Sequence, residues 1–301
     1  MSPFSWAAAE PADARLAEAY AACARLARAH DENFPVASRL LPRALRPHVA
    51  AIYAFARTAD DFADEGDHST AERECLLDDW LHRLRASVAL ESYEDPTSVF
   101  AAIGHTIREC KLPQALFEDL ISAFRQDVVK TRYRTWDEVH DYCRRSANPV
   151  GRLVLRAAGY DDPRLDRASD AMCSALQLTN FWQDLARDWK KGRLYVPLED
   201  LEASGAVEAD LDTASVTSEW RAVLAKAAGR TRTLFALGRP VCDGVTGRLR
   251  LELRVTWLGG LMVLDRFERS GFDVFKARPA VRPVDFPRLL WRAARWKKAS
   301  S

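Results

Sequence analysis

The sequence lacks the patterns by which nucleotide-binding α/β proteins are recognised. It contains no GxGxxG and no Walker loop, and runs that alternate between apolar and polar residues are almost absent, so such a fold is not expected. No stretch reaches the roughly 18 apolar residues of a membrane span, and no signal peptide is recognisable at the N-terminus. We expect a cytoplasmic protein, and peripheral contact with the inner face of the membrane stays open.

A large net charge is missing as well. The 44 Lys and Arg residues oppose 43 Asp and Glu residues, so no nucleic-acid partner is expected. None of the six cysteines belongs to a CxxC pair, which favours reduced core cysteines over a zinc site.

The charge is nevertheless uneven at the C-terminal end. From Lys276 to Ser301, eight Lys or Arg residues accompany one acid, Asp285. Large apolar residues lie among them, namely Leu289, Leu290, Trp291 and Trp296. The basic tail from about residue 279 predicts a short amphipathic helix, which suits either a membrane interface or a position folded back on the protein.

What the sequence does contain is a large supply of helix-forming residues. Ala, Leu, Arg and Glu are abundant, and long stretches are free of Pro and Gly. Apolar residues recur at helical spacing in Leu16–Ala27, Val49–Ala63, Leu116–Val129, Met172–Trp189 and Trp220–Leu237. Turn-forming residues cluster at Pro42, Glu91–Ser98, Tyr160–Arg164, Leu201–Ser218 and Gly271–Pro287. The sequence predicts an all-α protein with residues 1–301 in a single domain.

The segment YAFARTADDFADEGD carries a first acid motif. Asp60 and Asp64 lie one helical turn apart, so both carboxylates project from one face, and Asp61 and Glu65 form a second, rotated pair. Like charges at this spacing repel each other, and a cation would relieve the repulsion. Mg²⁺ commonly takes one or two carboxylates and completes its shell with phosphate oxygens and water. A solvated acidic face at a helix end is the alternative.

A second acid motif, in LQLTNFWQDLARDWKKGRLYVP, favours the metal site. Asn180, Asp184 and Asp188 recur every four residues on one face, within apolar surroundings. Cations, a tyrosine and a helix-ending proline follow: Lys190, Lys191, Arg193, Tyr195 and Pro197. Acids that hold metal, followed by cations that hold phosphate, indicate a diphosphate site. An amphipathic helix with incidental ion pairs is the alternative.

Arg57 lies three residues before Asp60, on roughly the same face. Its guanidinium can fork onto diphosphate oxygens or bridge to Asp60 or Asp61, and the two roles are compatible. A carbocation path would need aromatic walls. The candidates each favour a core position when taken alone: Phe34, Tyr53, Phe55, Phe181 and Trp182.

Four segments in order resemble the squalene and phytoene synthases, the head-to-head branch of the all-α isoprenoid synthase fold. They are HDENFPVAS, AIYAFARTADDFADE, YCRRSANPVGRLVL and NFWQDLARDWKKGRLYVP, and the resemblance runs from about Leu16 to Arg278. It implies a helical bundle around a central cavity, with two DxxxD helices facing each other, and an enzyme that ionises a prenyl diphosphate.

The resemblance also implies roles for individual residues. Catalytic roles fall to Asp60, Asp64, Asp184, Asp188, Arg57 and Tyr53. The implied Mg²⁺ ligands are Asp60, Asp61, Asp64, Asn180, Asp184 and Asp188. The implied substrate-binding residues are His30, Asn33, Phe34, Val150, Gly151, Gln177, Asn180, Lys191, Arg193, Tyr195 and Arg278. Of these, Val150, Gly151 and Gln177 would line the hydrocarbon tunnel, where a residue as small as Gly151 lets a bulky chain approach the helix.

Two segments look like the bacterial hydroxysqualene synthases of hopanoid pathways. The first motif reads HDENFPVAS where the family usually has HSxSF, and Asn148 and Pro149 stand where many relatives carry a Gly-Thr pair. Gly260 departs from the family pattern, since relatives often have a phosphate-binding tyrosine there. Arg278 aligns with the family after a one-residue shift.

We therefore expect Mg²⁺-dependent ionisation of presqualene diphosphate, with capture of the rearranged cation by water, to give hydroxysqualene and diphosphate in squalene and hopanoid biosynthesis. No NAD(P)H is expected for this reaction. Functional coupling to a presqualene diphosphate synthase stays open. So do the other activities of the family on farnesyl or geranylgeranyl diphosphate: presqualene diphosphate, dehydrosqualene, phytoene or squalene synthesis. A non-catalytic assembly factor is the alternative from another class, and the intact aspartates argue against it.

Overall fold

The computed structural model describes residues 11–29, 40–89 and 99–297, which are mostly helical. The chain begins with α1 (Pro11–Ala29), α2 (Leu45–Asp64), α3 (Thr70–Ala89), α4 (Val99–Glu109), α5 (Gln114–Val129), α6 (Trp136–Ser146) and α7 (Asn148–Ala157). It continues with α8 (Pro163–Lys190), α9 (Leu198–Ser204), α10 (Ser218–Gly238), α11 (Val241–Gly244), α12 (Gly247–Arg269) and α13 (Phe286–Ala294). Within the described ranges, extended pairing is limited to one isolated bridge between Arg132 and Leu194. The all-α prediction is confirmed.

The five periodic segments all fall inside helices, in α1, α2, α5, α8 and α10. The prediction that Leu201–Ser218 is irregular is wrong in part. Helix α9 extends into the beginning of this segment, and a 3₁₀ helix covers Glu208–Thr213. Pro197 does not end α8 either. That helix ends at Lys190, before Gly192 turns the chain with a φ of 79°, and Pro197 precedes α9.

The two helices that carry the acid motifs, α2 and α8, are each held in place by a buried apolar face on the side away from the acids. On α2, Phe55 is fully buried and stacks on Trp80 of α3 with ring centroids 5.8 Å apart. On α8, Trp182 is 1% exposed, and its indole Nε1 donates to Thr231 Oγ1 of α10 at 2.8 Å. Because each helix buries one side in this way, its acidic side is left to face the opposite helix.

The C-terminal tail forms the predicted helix and folds back on the protein. Leu289 and Ala293 of α13 are buried against α12, whereas Trp291 is 57% exposed. After α13, the ring of Trp296 packs edge-on against Trp257 at 5.0 Å. None of the described helices is both long and apolar enough to span a membrane.

Helix α10 packs closely on α8 at Gly238. A Cβ atom at position 238 would lie 2.6 Å from the backbone nitrogen of Met172 and 2.7 Å from its Cα. Backbone atoms cannot move aside as a flexible side chain can, so only glycine permits this helix crossing.

We expect Gly238→Ala to lower the free energy of unfolding by about 1–3 kcal/mol, because the new methyl group must push α10 away from α8. Gly229→Ala on the same helix is the matched control, since nothing lies within 4 Å of a Cβ placed there. The control should be neutral or stabilising by up to ~1 kcal/mol. Urea unfolding of both variants measures the difference, and equal stabilities would contradict the close crossing.

Candidate active site

One face of α2 lines a cavity of about 470 Å³. Tyr53, Arg57, Asp60 and Asp64 follow each other at three- and four-residue spacing and all reach the cavity wall. The first acid motif therefore faces a cavity rather than the outer surface of the protein.

Helix α8 supplies the opposite wall of the same cavity. Gln177, Asn180, Phe181 and Asp188 line it. Asp184, which lies between them on the helix, instead binds an arginine from a later part of the chain. The structure thus brings the two acid motifs together, although they are more than one hundred residues apart in the sequence.

Each acid motif binds an arginine that arrives from a distant segment. Arg193 donates to both carboxylate oxygens of Asp64 at 2.8 and 2.5 Å. Arg278 donates to both oxygens of Asp184 at 2.6 and 2.9 Å. The planar guanidinium group fits a carboxylate and a phosphate equally well, so both arginines are placed to bind a diphosphate held between the helices.

Arg57 makes the intrahelical bridge that the sequence leaves open. Its guanidinium lies 2.6 Å from Asp61 and 3.4 Å from Asp60. Asp61 thus pairs with Arg57 and is not among the residues that line the cavity. Lys191 lies outside the wall as well, with its amine 3.5 Å from a carboxylate oxygen of Glu65.

The acid cluster carries more negative charge than its surroundings favour. Burial, followed by the carboxylate of Asp184, raises the pKa of Asp188 to about 7. The charge of Asp64 acts in the same direction, and the positive charges of Arg193 and Lys191 oppose it. A divalent cation at this point would remove the excess.

The donors of this site fit Mg²⁺, because carboxylate and amide oxygens are hard ligands. In the described part of the chain, no three carboxylate, His or Cys side chains converge closely enough to hold an ion by themselves. Each ion would therefore take one or two protein carboxylates and leave the remaining positions to phosphate oxygens and water, which is the usual arrangement for Mg²⁺.

Aromatic rings form a further part of the wall. Phe181 and Tyr195 stack in parallel with their centroids 3.8 Å apart, and both line the cavity together with Tyr53. Phe55 and Trp182 lie on the buried backs of their helices. The aromatic candidates thus divide between wall and core, and Phe34 lies outside the described residues, as do His30 and Asn33.

The structure gives Gly151 a different role from the one implied by the resemblance. Val150 lines the cavity, but Gly151 is not among its lining residues. A Cβ at position 151 would lie 2.3 Å from Ser169 Oγ and 2.6 Å from Cys173 Sγ. The missing side chain therefore permits α7 to approach α8. Asn148 strengthens the same contact, since its Oδ1 accepts a hydrogen bond from Ser174 at 2.9 Å.

The departure at Gly260 also has a packing reason. A Cβ there would lie 2.5 Å from Phe235 and 2.7 Å from Leu176, so no side chain fits without rearrangement. Arg278 nevertheless reaches the second acid motif through Asp184.

Sequence reasoning missed part of the wall. The missed residues are Ala56, Phe124, Asp127, Tyr142, Ser146, Ala147, Cys173 and Leu176. A signal for Asp127 was present, because it follows Phe117, Leu120 and Phe124 at helical spacing and so places an acid on the apolar face of α5. Burial raises the pKa of Asp127 to about 7, although a hydrogen bond from Tyr142 acts in the opposite direction.

Comparison with known proteins agrees with this geometry. The profile of the squalene/phytoene synthase family matches residues 27–285. The chain belongs to the squalene/phytoene synthase family. It is therefore an enzyme with the all-α isoprenoid synthase fold, as the sequence predicts.

Within the family, the chain is similar to several hydroxysqualene synthases. It is 39% identical over 208 residues to that of Zymomonas mobilis, covering 68% of both chains. It is 35% identical over 258 residues to that of Rhodopseudomonas palustris, covering 85% of both chains. The phytoene synthase of Arthrospira platensis is 29% identical over 277 residues, with 88% of each chain covered.

Solved structures give the same family. The squalene synthase HpnC from Alicyclobacillus acidocaldarius superposes with a TM-score of 0.80 at 41% identity, covering 86% of this chain and 97% of that chain. A dehydrosqualene synthase superposes with a TM-score of 0.83 at 21% identity, covering 94% of this chain and 98% of that chain, which shows the shared fold.

We expect Asp188→Asn to stabilise the metal-free protein at pH 8. The folded pKa of about 7 lies above the value near 3.9 of an unfolded Asp, so the ionised carboxylate disfavours the fold increasingly as pH rises between these values. We expect a gain of up to about 4 kcal/mol at pH 8, which vanishes near pH 4.

Thermal unfolding in EDTA across this pH range measures the effect. Asp79→Asn is the matched control, because the Asp79 side chain is 63% exposed. If the Asp188→Asn variant is no more stable than the wild type at pH 8, the pKa of Asp188 is not raised in the folded protein, and the prediction is wrong.

Proposed function

We propose that this family member is a hydroxysqualene synthase, which converts presqualene diphosphate and water into hydroxysqualene and diphosphate. The observation that carries the proposal is the cavity itself, because acids and arginines share its wall with apolar and aromatic side chains. A prenyl diphosphate has the matching chemistry, with a charged head and a hydrocarbon body. The cavity volume of about 470 Å³ falls in the ordinary range for ligand sites, ~300–1,000 Å³.

The identity to hydroxysqualene synthases supports the choice within the family. Those of Zymomonas mobilis and Rhodopseudomonas palustris are 39% and 35% identical, compared with 29% for the phytoene synthase of Arthrospira platensis. The substrate would be supplied by a reaction that joins two farnesyl diphosphate molecules, so functional coupling to a presqualene diphosphate synthase follows from the chemistry.

The charged residues bind the leaving group in this proposal. Arg57, Arg193 and Arg278 would donate hydrogen bonds to diphosphate oxygens. The Mg²⁺ ligands would be Asp60, Asp61, Asp64, Asn180, Asp184 and Asp188. Bound Mg²⁺ would supply Lewis-acid stabilisation of the charge that develops on the diphosphate. Arg193 and Arg278 contact two of these carboxylates. If those carboxylates held Mg²⁺, the guanidinium groups would be available for phosphate oxygens.

The remaining wall protects the cation. Tyr53, Phe181 and Tyr195 present aromatic rings, which stabilise positive charge without acting as bases. Val150 and Gln177 would contact the hydrocarbon chains. Roles for His30, Asn33 and Phe34 in substrate binding remain part of the proposal.

Purified protein with Mg²⁺ and presqualene diphosphate should give hydroxysqualene without NADPH. Farnesyl diphosphate, with and without NADPH, forms the second arm of the assay, and its lipid products separate the other activities of the family. If presqualene diphosphate is left intact, the proposed function fails.

In the same assay, the double variant Asp60→Asn, Asp184→Asn should lose activity by about two orders of magnitude or more, because it loses a carboxylate from each acid motif. The matched control replaces two exposed aspartates, Asp79 and Asp161, whose side chains are 63% and 84% exposed. Circular dichroism should show an intact fold in both. Full activity of the Asp60/Asp184 variant would support a non-catalytic role for the acid motifs.

We also propose that the tail contacts an anionic membrane surface. Val284, Leu290 and Trp291 are 81%, 36% and 57% exposed, and they lie close together in the sequence. The nearby basic residues, also exposed, are Arg288, Arg292, Arg295 and Lys297. Apolar residues set among cations suit the interface of an anionic bilayer, which would also receive a lipophilic product.

Flotation with phosphatidylglycerol-containing vesicles should recover the wild type, and replacement of Val284, Leu290 and Trp291 by serine should reduce recovery about fivefold or more. Val207→Ser with Leu237→Ser is the control, because these residues are 55% and 60% exposed elsewhere on the surface. Equal recovery of both variants, or equal binding to neutral vesicles, would contradict the proposal.

A further inference from the structure

Two side-chain oxygen atoms in the cavity wall have no hydrogen-bond partner among the described residues. They are Oδ1 of Asp127, on α5, and Oγ of Ser146, at the end of α6. Both atoms are buried, and both residues line the cavity. Since buried polar groups are almost always hydrogen-bonded, two such atoms in one cavity wall point to a ligand that bonds them.

Asp127 is fixed so that one oxygen remains for this ligand. The phenol of Tyr142 donates to Oδ2 at 2.5 Å, and the Asp127 side chain cannot turn away into solvent because the residue is 5% exposed. Tyr142 and Ser146 are four residues apart on α6, so they share one face of that helix. Tyr142 therefore holds Asp127 from the same helix face that carries Ser146.

The hydrocarbon part of the proposed substrate cannot form hydrogen bonds with these two oxygen atoms. Their neighbours in the wall include Phe124, Ala147 and Val150, which suit hydrocarbon, and a hydrocarbon chain has no donor or acceptor. Asp127 also lies within the electrostatic influence of Arg193, Asp64 and Asp60, which places it near the charged part of the cavity. A water molecule fits this part of the wall, because it needs little room and can form hydrogen bonds with several polar partners at once.

We infer that Asp127 and Ser146 bind the water molecule that captures the cation, with Asp127 Oδ1 receiving its proton. This inference rests on the proposed function and adds the residues that direct its last step. Tyr142 acts through Asp127 and is a positioning residue.

The step balances without an oxidant or reductant. The bond between carbon and diphosphate oxygen breaks, and its electron pair leaves with the diphosphate. After the cation has rearranged, a lone pair of the water oxygen forms the new carbon–oxygen bond. One O–H bond of that water breaks, and the proton passes to the Asp127 carboxylate, which releases it to solvent when the product leaves. A carboxylate whose folded pKa is about 7 can accept and release a proton near neutral pH.

The test separates ionisation from capture. Asp127→Asn keeps the shape and an acceptor for Tyr142 but cannot take a proton, and Ser146→Ala removes only the hydroxyl. With presqualene diphosphate and Mg²⁺, diphosphate release and the fraction of product that is hydroxysqualene are measured separately. In Asp127→Asn we expect release within about threefold of the wild type and a hydroxysqualene fraction lower by about tenfold, replaced by olefins formed by proton loss. Ser146→Ala should shift the fraction in the same direction by about threefold.

Asp119→Asn is the matched control on α5, because its side chain is 37% exposed and lies 3.8 Å from Arg144 outside the cavity. The control should keep the wild-type product fraction. An unchanged fraction in both cavity variants overturns the inference. So does a fall in diphosphate release with no change in the fraction, because it would assign Asp127 to ionisation. No diphosphate release by the wild type overturns the proposed function itself, which distinguishes the two failures.

Discussion

Helices α2 and α8 can bring two acidic faces together only if positive charge lies between them. Arg193 and Arg278 provide it by binding Asp64 and Asp184 with both carboxylate oxygens in each case. Removing one partner of such a pair leaves an unpaired, partly buried charge, which costs far more than the intact pair contributes. Asp188 has no such bidentate partner among the described residues, and burial together with the charge of Asp184 raises its pKa.

The acidic faces keep their positions because their helices are fixed from behind. Trp182 binds Thr231 across the interface between α8 and α10, and Gly238 lets the same two helices approach to backbone contact at Met172. Phe55 has the same function on α2. The carboxylates therefore project from rigid supports, and little reorganisation is needed when charge develops on a leaving group.

Local periodicity was enough to predict α1, α2, α5, α8 and α10 and to place the acid motifs on helix faces, because Asp60 and Asp64 share a face wherever the helix lies. The partners of the aspartates depend on tertiary structure, and spacing alone does not show that Arg278 reaches Asp184. The spacing does place Asp127 on the apolar face of α5, but its position in the cavity wall requires α5 and α6 to pack together. Gly151 could be recognised as a site of close approach, but the sequence does not show which neighbour approaches.

That neighbour matters for the width of the cavity. Gly151 sets the distance between α7 and α8, because Ser169 and Cys173 occupy the space in which a side chain would stand. Val150 of α7 and Cys173 of α8 both line the cavity, so the two helices form neighbouring parts of its wall. A single methyl group at position 151 would require Ser169 and Cys173 to rotate or the two helices to move apart. The width of this part of the cavity is thus coupled to a contact among three uncharged residues, so it can change without alteration of the acids and arginines.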